Sequence, residues 1–123
     1  MASTYRQSVG RRGEDLACQA LERRGYVIMA RNWRCRGGEV DIVARDGECW
    51  VFVEVKTRRS QALGVPELAL TPHKLARLQD LAQQYLGEHG LDQVDWRIDL
   101  VAIELDSHNE PQRLNVIAGI AAP

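Results

Sequence analysis

Residues 38–56, which read GEVDIVARDGECWVFVEVK, decide the fold because they encode two strands joined by a tight turn. Asp46-Gly47 separates two runs rich in β-branched and aromatic residues, and this dipeptide favours a type I′ hairpin turn. With Asp46 and Gly47 as the loop residues, counting back along both strands predicts four cross-strand pairs: Ala44 with Cys49, Ile42 with Val51, Asp41 with Phe52, and Glu39 with Glu54. The stretch therefore predicts an antiparallel hairpin with a defined register.

One face of this hairpin is expected to carry ionisable side chains, because side chains alternate and opposite residues share a face. That face holds Glu39, Asp41, Glu54 and Lys56, and the other face holds Val40, Ile42, Val51, Val53 and Val55. In this register Asp41 and Glu54 are diagonal neighbours, with Cβ atoms about 7 Å apart. Two carboxylates at that spacing can close on one small cation, which would offset their mutual repulsion.

The alternative is an ordinary solvated strand face. The pattern Glu-x-Lys is common on half-exposed strands and by itself says little about function. Trp50 and Phe52 lie on the same predicted face as the acids, so this face is expected to be partly covered. That cover favours a metal site over a solvated face.

The composition is that of an ordinary soluble protein. With 123 residues, 45% apolar and 27% charged, the chain is expected to form a single domain of residues 1–123. No apolar run approaches the length of a membrane span, and residues 1–10 lack the apolar stretch of a secretory signal. Cys18, Cys35 and Cys49 are odd in number and lack paired zinc-site spacing, which indicates free thiols in a reducing cytoplasm.

The net charge of −1 conceals a gradient along the chain. Residues 1–36 contain eight arginines and three acids, a balance of +5, whereas the remainder contains eight basic and fourteen acidic residues, a balance of −6. Fourteen of the sixteen basic residues are arginine, whose planar guanidinium suits phosphate oxygens. The gradient fits a protein that holds a polyanion over a cation, although the same arginines could serve only helix termini and solubility.

An amphipathic helix is predicted at residues 9–24, followed by Gly25. Its buried stripe consists of Gly13, Leu16, Ala17, Ala20 and Leu21. Glu14 lies at the edge of this stripe, and two interpretations remain open for it. It either caps the helix or pairs with an arginine, or it joins the acids of the strands.

Turn signals and periodicity predict the remaining elements. These are a strand at residues 26–33, a turn at 34–38, a loop at 57–70, a helix from Thr71-Pro72 to about Glu88, a strand at 94–105 and an edge strand at 114–120. Asp99, inside the long strand, is expected to be a buried hydrogen-bonding acid. The order predicts an α/β sandwich with an αβββαβ core, in which helices flank a mixed sheet.

Seven cations are predicted to contact nucleic acid. Arg58 and Arg59 directly follow the Glu-x-Lys strand, and Lys74 lies in the first turn of the second helix, where backbone amides favour an anion. The other four belong to the arginine-rich first third of the chain: Arg11, Arg12, Arg34 and Arg36.

Several motifs together resemble the bacterial YraN family, over about residues 10–103. They are Gly13-Glu14-x-x-Ala17, Arg31-Asn32-x-Arg34, Gly38-Glu39-Val40-Asp41-Ile42-Val43-Ala44, Val53-Glu54-Val55-Lys56-x-Arg58 and Arg97-Ile98-Asp99. Asp41 and Glu54-x-Lys56 on adjacent strands also resemble the PD-(D/E)xK motif of the restriction-endonuclease-like fold. The family is usually described as related to Holliday-junction resolvases.

The resemblance implies a metal-dependent endonuclease that acts on DNA, with Mg²⁺ or Mn²⁺ as cofactor. Asp41 and Glu54 would be the metal ligands, Lys56 the catalytic lysine, and Glu14 the helix acid near the metal. Val40 stands where the motif's name has proline, a departure shared by many relatives. The role of Glu39 stays open.

Two other functions compete with this one. A nuclease-like scaffold could grip nucleic acid or a partner protein without cutting, and its DNA binding would not depend on metal. A protein-interaction domain would show no salt-sensitive DNA binding at all. Junction resolution would in addition require two active sites on symmetric strands, and hence a homodimer.

Overall fold

The secondary structure follows the predicted order, including the edge strand at the end. A computed structural model describes residues 5–59 and 64–123 of the chain. The elements are α1 (Tyr5–Arg23), β1 (Val27–Cys35), β2 (Gly38–Asp46), β3 (Cys49–Arg58), a 3-10 helix (Pro66–Ala69), α2 (Pro72–Glu88), β4 (Trp96–Leu105) and β5 (Pro111–Ala121). The predicted αβββαβ core is thus confirmed. Residues 1–4 of the predicted domain and residues 60–63 of the predicted loop lie outside the described part of the chain.

Five strands form one mixed sheet in the order β1-β2-β3-β4-β5. Only β3 and β4 run parallel, because α2 carries the chain back across the sheet between them, and the other neighbours are antiparallel. Each face has its own apolar cluster. Leu21 of α1 packs with Ile42 and Val53 on one face, while Tyr85 of α2 packs with Phe52 on the other.

The hairpin turn differs from the predicted one by one position. Asp46 pairs with Cys49, so the two loop residues are Gly47 and Glu48 instead of Asp46 and Gly47. Gly47 has a φ of 61°, and Glu48 has no positive φ, which is the pattern of a type II′ turn with glycine first. The true register is therefore shifted by two residues, and Ile42 pairs with Val53. A shift of two keeps every side chain on its face, so Glu54 and Lys56 remain on the predicted side.

Strand alternation breaks at Asp41, which the sequence did not predict. Val43 and Val40 both belong to the cluster under α2, although residues three positions apart lie on opposite faces of a regular strand. Ile42, between them, belongs to the cluster under α1. The prediction that Val40 shares a face with Ile42 is therefore wrong. On neighbouring β1, Asn32, which lies across from Asp41, has a φ of 53°.

The element boundaries were predicted to within a few residues. Thr71 caps α2 as expected, with its Oγ1 accepting a hydrogen bond from the Lys74 backbone N–H at 3.2 Å. Strand β1 extends to Cys35, so the predicted turn at 34–38 shrinks to residues 36–37. The predicted loop at 57–70 contains the last residues of β3 and the 3-10 helix. Among the described residues, neither helix is long and apolar enough to cross a membrane.

Candidate functional site

The centre of the site is a pair of carboxylates on β2 and β3. The regular ladder ends at the pair of Ile42 and Val53, and the same count places Asp41 across from Glu54. At this point Asp41 Oδ2 accepts a hydrogen bond from the Val55 backbone N–H at 2.8 Å. In a continued antiparallel ladder that N–H would bond the Val40 carbonyl. The broken alternation therefore lets the Asp41 side chain replace a backbone acceptor and lie against Glu54.

The pKa of the Asp41 carboxyl is raised to about 8. Burial is the main cause, because it disfavours the charged form, and the negative charge of Glu54 and a side-chain hydrogen bond with Glu54 act in the same direction. The Val55 N–H opposes the shift, since it stabilises the carboxylate. Two acids held this close share a proton unless another positive charge lies between them.

Lys56 lies beside this pair. Its Nζ is 3.6 Å from Glu54 Oε1, and the side chains of Lys56 and Glu54 are 24% and 17% exposed. One ammonium next to two carboxylates leaves the group with a net negative charge when both acids are ionised. Loss of the Asp41 proton would therefore add a negative charge that Lys56 alone does not balance.

Glu14 lies in α1, the helix that covers one face of the sheet, and it is close enough to Asp41 for their charges to interact. Its pKa is raised, first by burial and also by the negative charge of Asp41, while a side-chain hydrogen bond from Asn32 and the charge of Arg31 lower it. Arg31 Nη2 lies 3.8 Å from Glu14 Oε1 and 2.8 Å from Asp15 Oδ1. Glu14 therefore pairs loosely with an arginine, and the negative charge of Asp41 helps to raise its pKa.

Glu39 stands apart from this group. Its Oε2 accepts a hydrogen bond from Arg34 Nε at 3.1 Å, and the Arg34 side chain is 76% exposed. The negative charge of Glu39 contributes to the raised pKa values of Asp41 and Glu14. Arg34, a predicted DNA contact, is engaged in a surface ion pair.

Two predicted DNA-contacting arginines meet at the loop between β4 and β5. Arg12 Nε donates to the Asn109 carbonyl at 3.1 Å, and Arg59 donates to the carbonyls of Asp106 and Ser107. Both guanidinium groups therefore hold the loop in the described structure. Of the others, Arg58 ends β3, Lys74 Nζ donates to the Ala69 carbonyl at 3.2 Å, and Arg11 and Arg36 are exposed.

Comparison with known proteins identifies the family. The sequence profile of "Uncharacterised protein family UPF0102" matches residues 13–103, nearly three quarters of the chain. The chain belongs to family UPF0102. This confirms the membership that the YraN motifs indicated. The UPF0102 match includes Glu14, Asp41, Glu54 and Lys56, whereas Arg11 lies outside it.

Other UPF0102 proteins are similar over most of their length. One from Geobacter sulfurreducens is 51% identical over 110 residues, covering 89% of this chain and 86% of that protein. One from Acidothermus cellulolyticus is 50% identical over 111 residues, covering 82% and 84%. One from Kineococcus radiotolerans is 43% identical over 117 residues, covering 94% and 95%. The UPF0102 description of these relatives names no activity.

The carboxylate pair of this UPF0102 protein fits a hard divalent cation. Within residues 5–59 and 64–123, no three His, Cys, Asp or Glu side chains come together as a metal-binding cluster. Mg²⁺ is nevertheless often held by only one or two carboxylates together with water and substrate phosphate. Asp41 and Glu54 supply that number of oxygen donors, and a bound cation would offset the repulsion from Glu54 that helps to raise the pKa of Asp41.

Sequence reasoning missed a second ionic group beside the site. Arg113 donates from Nη1 and Nη2 to the two carboxylate oxygens of Glu67, both at 2.7 Å, and from Nε to Glu104. Glu104 pairs across the parallel ladder with Arg58, two residues beyond Lys56. This clamp fastens the 3-10 helix to the strand next to the site. No sequence signal could have found it, because Glu67 and Arg113 are 46 residues apart.

Asp99 is a buried hydrogen-bonding acid, as predicted. It accepts hydrogen bonds from Tyr26 Oη at 3.0 Å, Arg97 Nε at 3.0 Å and the Gly119 N–H at 2.9 Å. With no exposed surface and three donors, it ties β4 to β5 and to the residue before β1. The three cysteines are free thiols, also as predicted.

Proposed function

We propose that this protein is a metal-dependent nuclease that hydrolyses phosphodiester bonds in DNA. The contact between the Asp41 and Glu54 carboxylates, with Lys56 beside them, is the observation that supports the proposal. Keeping two acids together in a half-buried position costs free energy without a cation. Such an arrangement is typical of sites whose ligand supplies the missing charge.

The roles of the residues follow from their chemistry. Asp41 and Glu54 would hold Mg²⁺ or Mn²⁺, and when bound the ion supplies Lewis-acid polarisation of the phosphodiester and a more acidic water. Lys56 Nζ would orient the attacking water and donate a hydrogen bond to the negative charge that develops on phosphate oxygens. Glu14 would add negative charge near the ligands. The exposed cations Arg11 and Arg36 are suited to hold the DNA backbone without reading its bases.

The family resemblance favours branched or junction DNA as the substrate. A homodimer would then place two sites on symmetric strands. A cleavage assay on matched four-way junctions and linear duplexes, with Mg²⁺, Mn²⁺ or EDTA, tests both the activity and the preference. We expect metal-dependent cleavage by the wild-type protein, with the junction cut faster.

Variants connect the activity to the carboxylate pair. Asp41→Asn and Lys56→Ala should each abolish most cleavage, and Asp41→Asn should also lose Mn²⁺ binding in a calorimetric titration. Glu48→Gln is the matched control, since it removes one charge from an exposed residue at the opposite end of the same hairpin. Equal activity in Asp41→Asn and wild type would exclude the carboxylate pair from the mechanism.

The non-catalytic alternatives give different results in the same assays. A binding module predicts DNA binding that survives Asp41→Asn and does not change with metal, with no cleavage. A protein-interaction domain predicts no DNA binding that weakens with salt. Either result, together with the absence of Mn²⁺ binding by the wild-type protein, would overturn the proposed nuclease.

A further inference from the structure

Asn32 has an unusual backbone conformation for a strand residue. Its φ is 53°, in the left-handed region, and in the described part of the chain only Asn109 shares a positive φ among residues other than glycine. Non-glycine residues seldom adopt this conformation, and when they do it tends to mark a functional position. Asparagine tolerates it better than most, so the residue type suits the backbone.

The position of Asn32 in the sheet is next to the carboxylate pair. Arg31 pairs with Ile42 and Trp33 pairs with Val40, so Asn32 lies across from Asp41 on the neighbouring strand. In both strands the alternation of side chains between the two faces breaks at this position. In β1, Ala30 and Trp33 pack on the same side although they are three positions apart, as Val43 and Val40 do in β2.

The side chain of Asn32 makes a second contribution to the site. It forms a hydrogen bond with the Glu14 carboxylate, which itself lies within electrostatic range of Asp41. Asn32 is therefore next to both parts of the site: its backbone lies across from Asp41 in β2, and its amide bonds to Glu14 of α1. Glycine at this position could adopt the same backbone conformation but would lack the amide.

We propose that Asn32 is a positioning residue of the carboxylate site, whose left-handed backbone creates the break that turns Asp41 toward Glu54 and whose amide orients Glu14 beside them. This inference rests on the proposed metal site and adds a residue to it. Residues that hydrogen-bond to metal-site carboxylates without touching the metal commonly change metal affinity by about 10- to 100-fold.

Two substitutions separate the backbone role from the side-chain role. Asn32→Gly keeps the left-handed conformation and removes the amide, whereas Asn32→Ala removes both. In EDTA, the melting temperature of Asn32→Ala should be at least about 3 °C below that of Asn32→Gly, because a positive φ is strained for alanine and not for glycine. Equal melting temperatures of the two variants would overturn the backbone role, whether or not the protein binds metal.

Calorimetric titration with Mn²⁺ tests the side-chain role. We expect the dissociation constant of Asn32→Gly to be about 10-fold or more above the wild-type value. Asn109→Gly is the matched control, because it replaces the other left-handed asparagine, far along the chain in the loop between β4 and β5, and should leave the dissociation constant unchanged. Wild-type affinity in Asn32→Gly would overturn the side-chain role while leaving the proposed function intact. An absence of Mn²⁺ binding by the wild-type protein would overturn both.

Discussion

Gly13 in α1 and Thr57 in β3 approach each other so closely that a Cβ atom at Gly13 would lie 1.9 Å from Thr57 Oγ1 and 2.9 Å from Thr57 Cβ. Glycine is required here because any side chain would push the helix away from the strand. The contact brings α1 down onto the end of β3 that follows Lys56. Glu14, the next residue in α1, is thereby carried toward the carboxylate pair.

Replacement of Gly13 by alanine should therefore destabilise the protein. We expect Gly13→Ala to lower the free energy of unfolding by about 1–3 kcal/mol, because the overpacked contact must be relieved by moving the helix or the strand. Gly10→Ala is the matched control in the same helix, with open space around the new Cβ, and should raise stability by about 0.5–1 kcal/mol. Urea unfolding of the two variants measures both changes.

A double variant identifies the cause of that destabilisation. Thr57→Ala removes the Oγ1 and Cγ2 atoms that the new methyl group would meet, so Gly13→Ala should cost less in that background than in the wild type. Equal costs in the two backgrounds would show that the Gly13–Thr57 contact is not the source.

Asp41→Asn should stabilise the metal-free protein at neutral and higher pH. The pKa of Asp41 is raised in the folded protein from its usual 3.8 to about 8, so the folded state holds a proton that the unfolded state releases. Wild-type stability is therefore lost as pH rises from about 4 through about 8. Asparagine does not ionise and can still accept the Val55 hydrogen bond, so the variant avoids this loss.

The measurement is urea unfolding in EDTA at several pH values. The stability gained by Asp41→Asn over the wild type should grow with pH and reach at least about 1.4 kcal/mol at pH 8, the free energy of one pKa unit. Glu48→Gln, at the exposed turn, should show no such growth. A gain that is constant across this pH range would show that Asp41 is ionised in the folded protein throughout.

Mn²⁺ should make the wild type more stable than Asp41→Asn, which is the reverse of their order in EDTA. A ligand that binds only the folded state stabilises it by about 2.7 kcal/mol at a concentration 100 times its dissociation constant. We expect the melting temperature of the wild type to rise with Mn²⁺ concentration, and that of Asp41→Asn to stay nearly constant. Parallel shifts in both proteins would indicate that Mn²⁺ binds elsewhere.

The clamp between Glu67 and Arg113 should make stability sensitive to acid. The double hydrogen bond from Arg113 lowers the pKa of Glu67 to about 2. Its contribution is therefore fully present above the unfolded pKa of about 4.3 and is lost as pH falls through about 2. The stability difference between wild type and Glu67→Gln should shrink over that range. Unfolding by urea between pH 7 and pH 2 measures it, and a difference that does not change with pH would contradict the clamp.

The sequence alone determined the strands, the helices and the faces of Glu54 and Lys56. Those assignments depend on local rules: β-branched runs favour strands, Thr71-Pro72 begins a helix, and side chains alternate with a period of two. The faces of Glu54 and Lys56 were predicted correctly although the turn was predicted one position too early. The true turn at Gly47-Glu48, instead of Asp46-Gly47, moves the register by two residues and so keeps each side chain on its face. A shift of one would have exchanged the faces and removed the site.

Only the tertiary structure decided how the acids come together. Both possible turns, Asp46-Gly47 and Gly47-Glu48, place Gly47 at a position of positive φ. Local sequence therefore does not distinguish them, and the pairing of the strands within the sheet does. The broken alternation at Asp41 needs its neighbour strand, where Asn32 adopts a left-handed backbone, and Glu14 reaches the site only because α1 packs against Thr57. Contacts between residues distant in sequence have no local signature. Residue types could therefore suggest a carboxylate site, whereas its geometry required the assembled sheet.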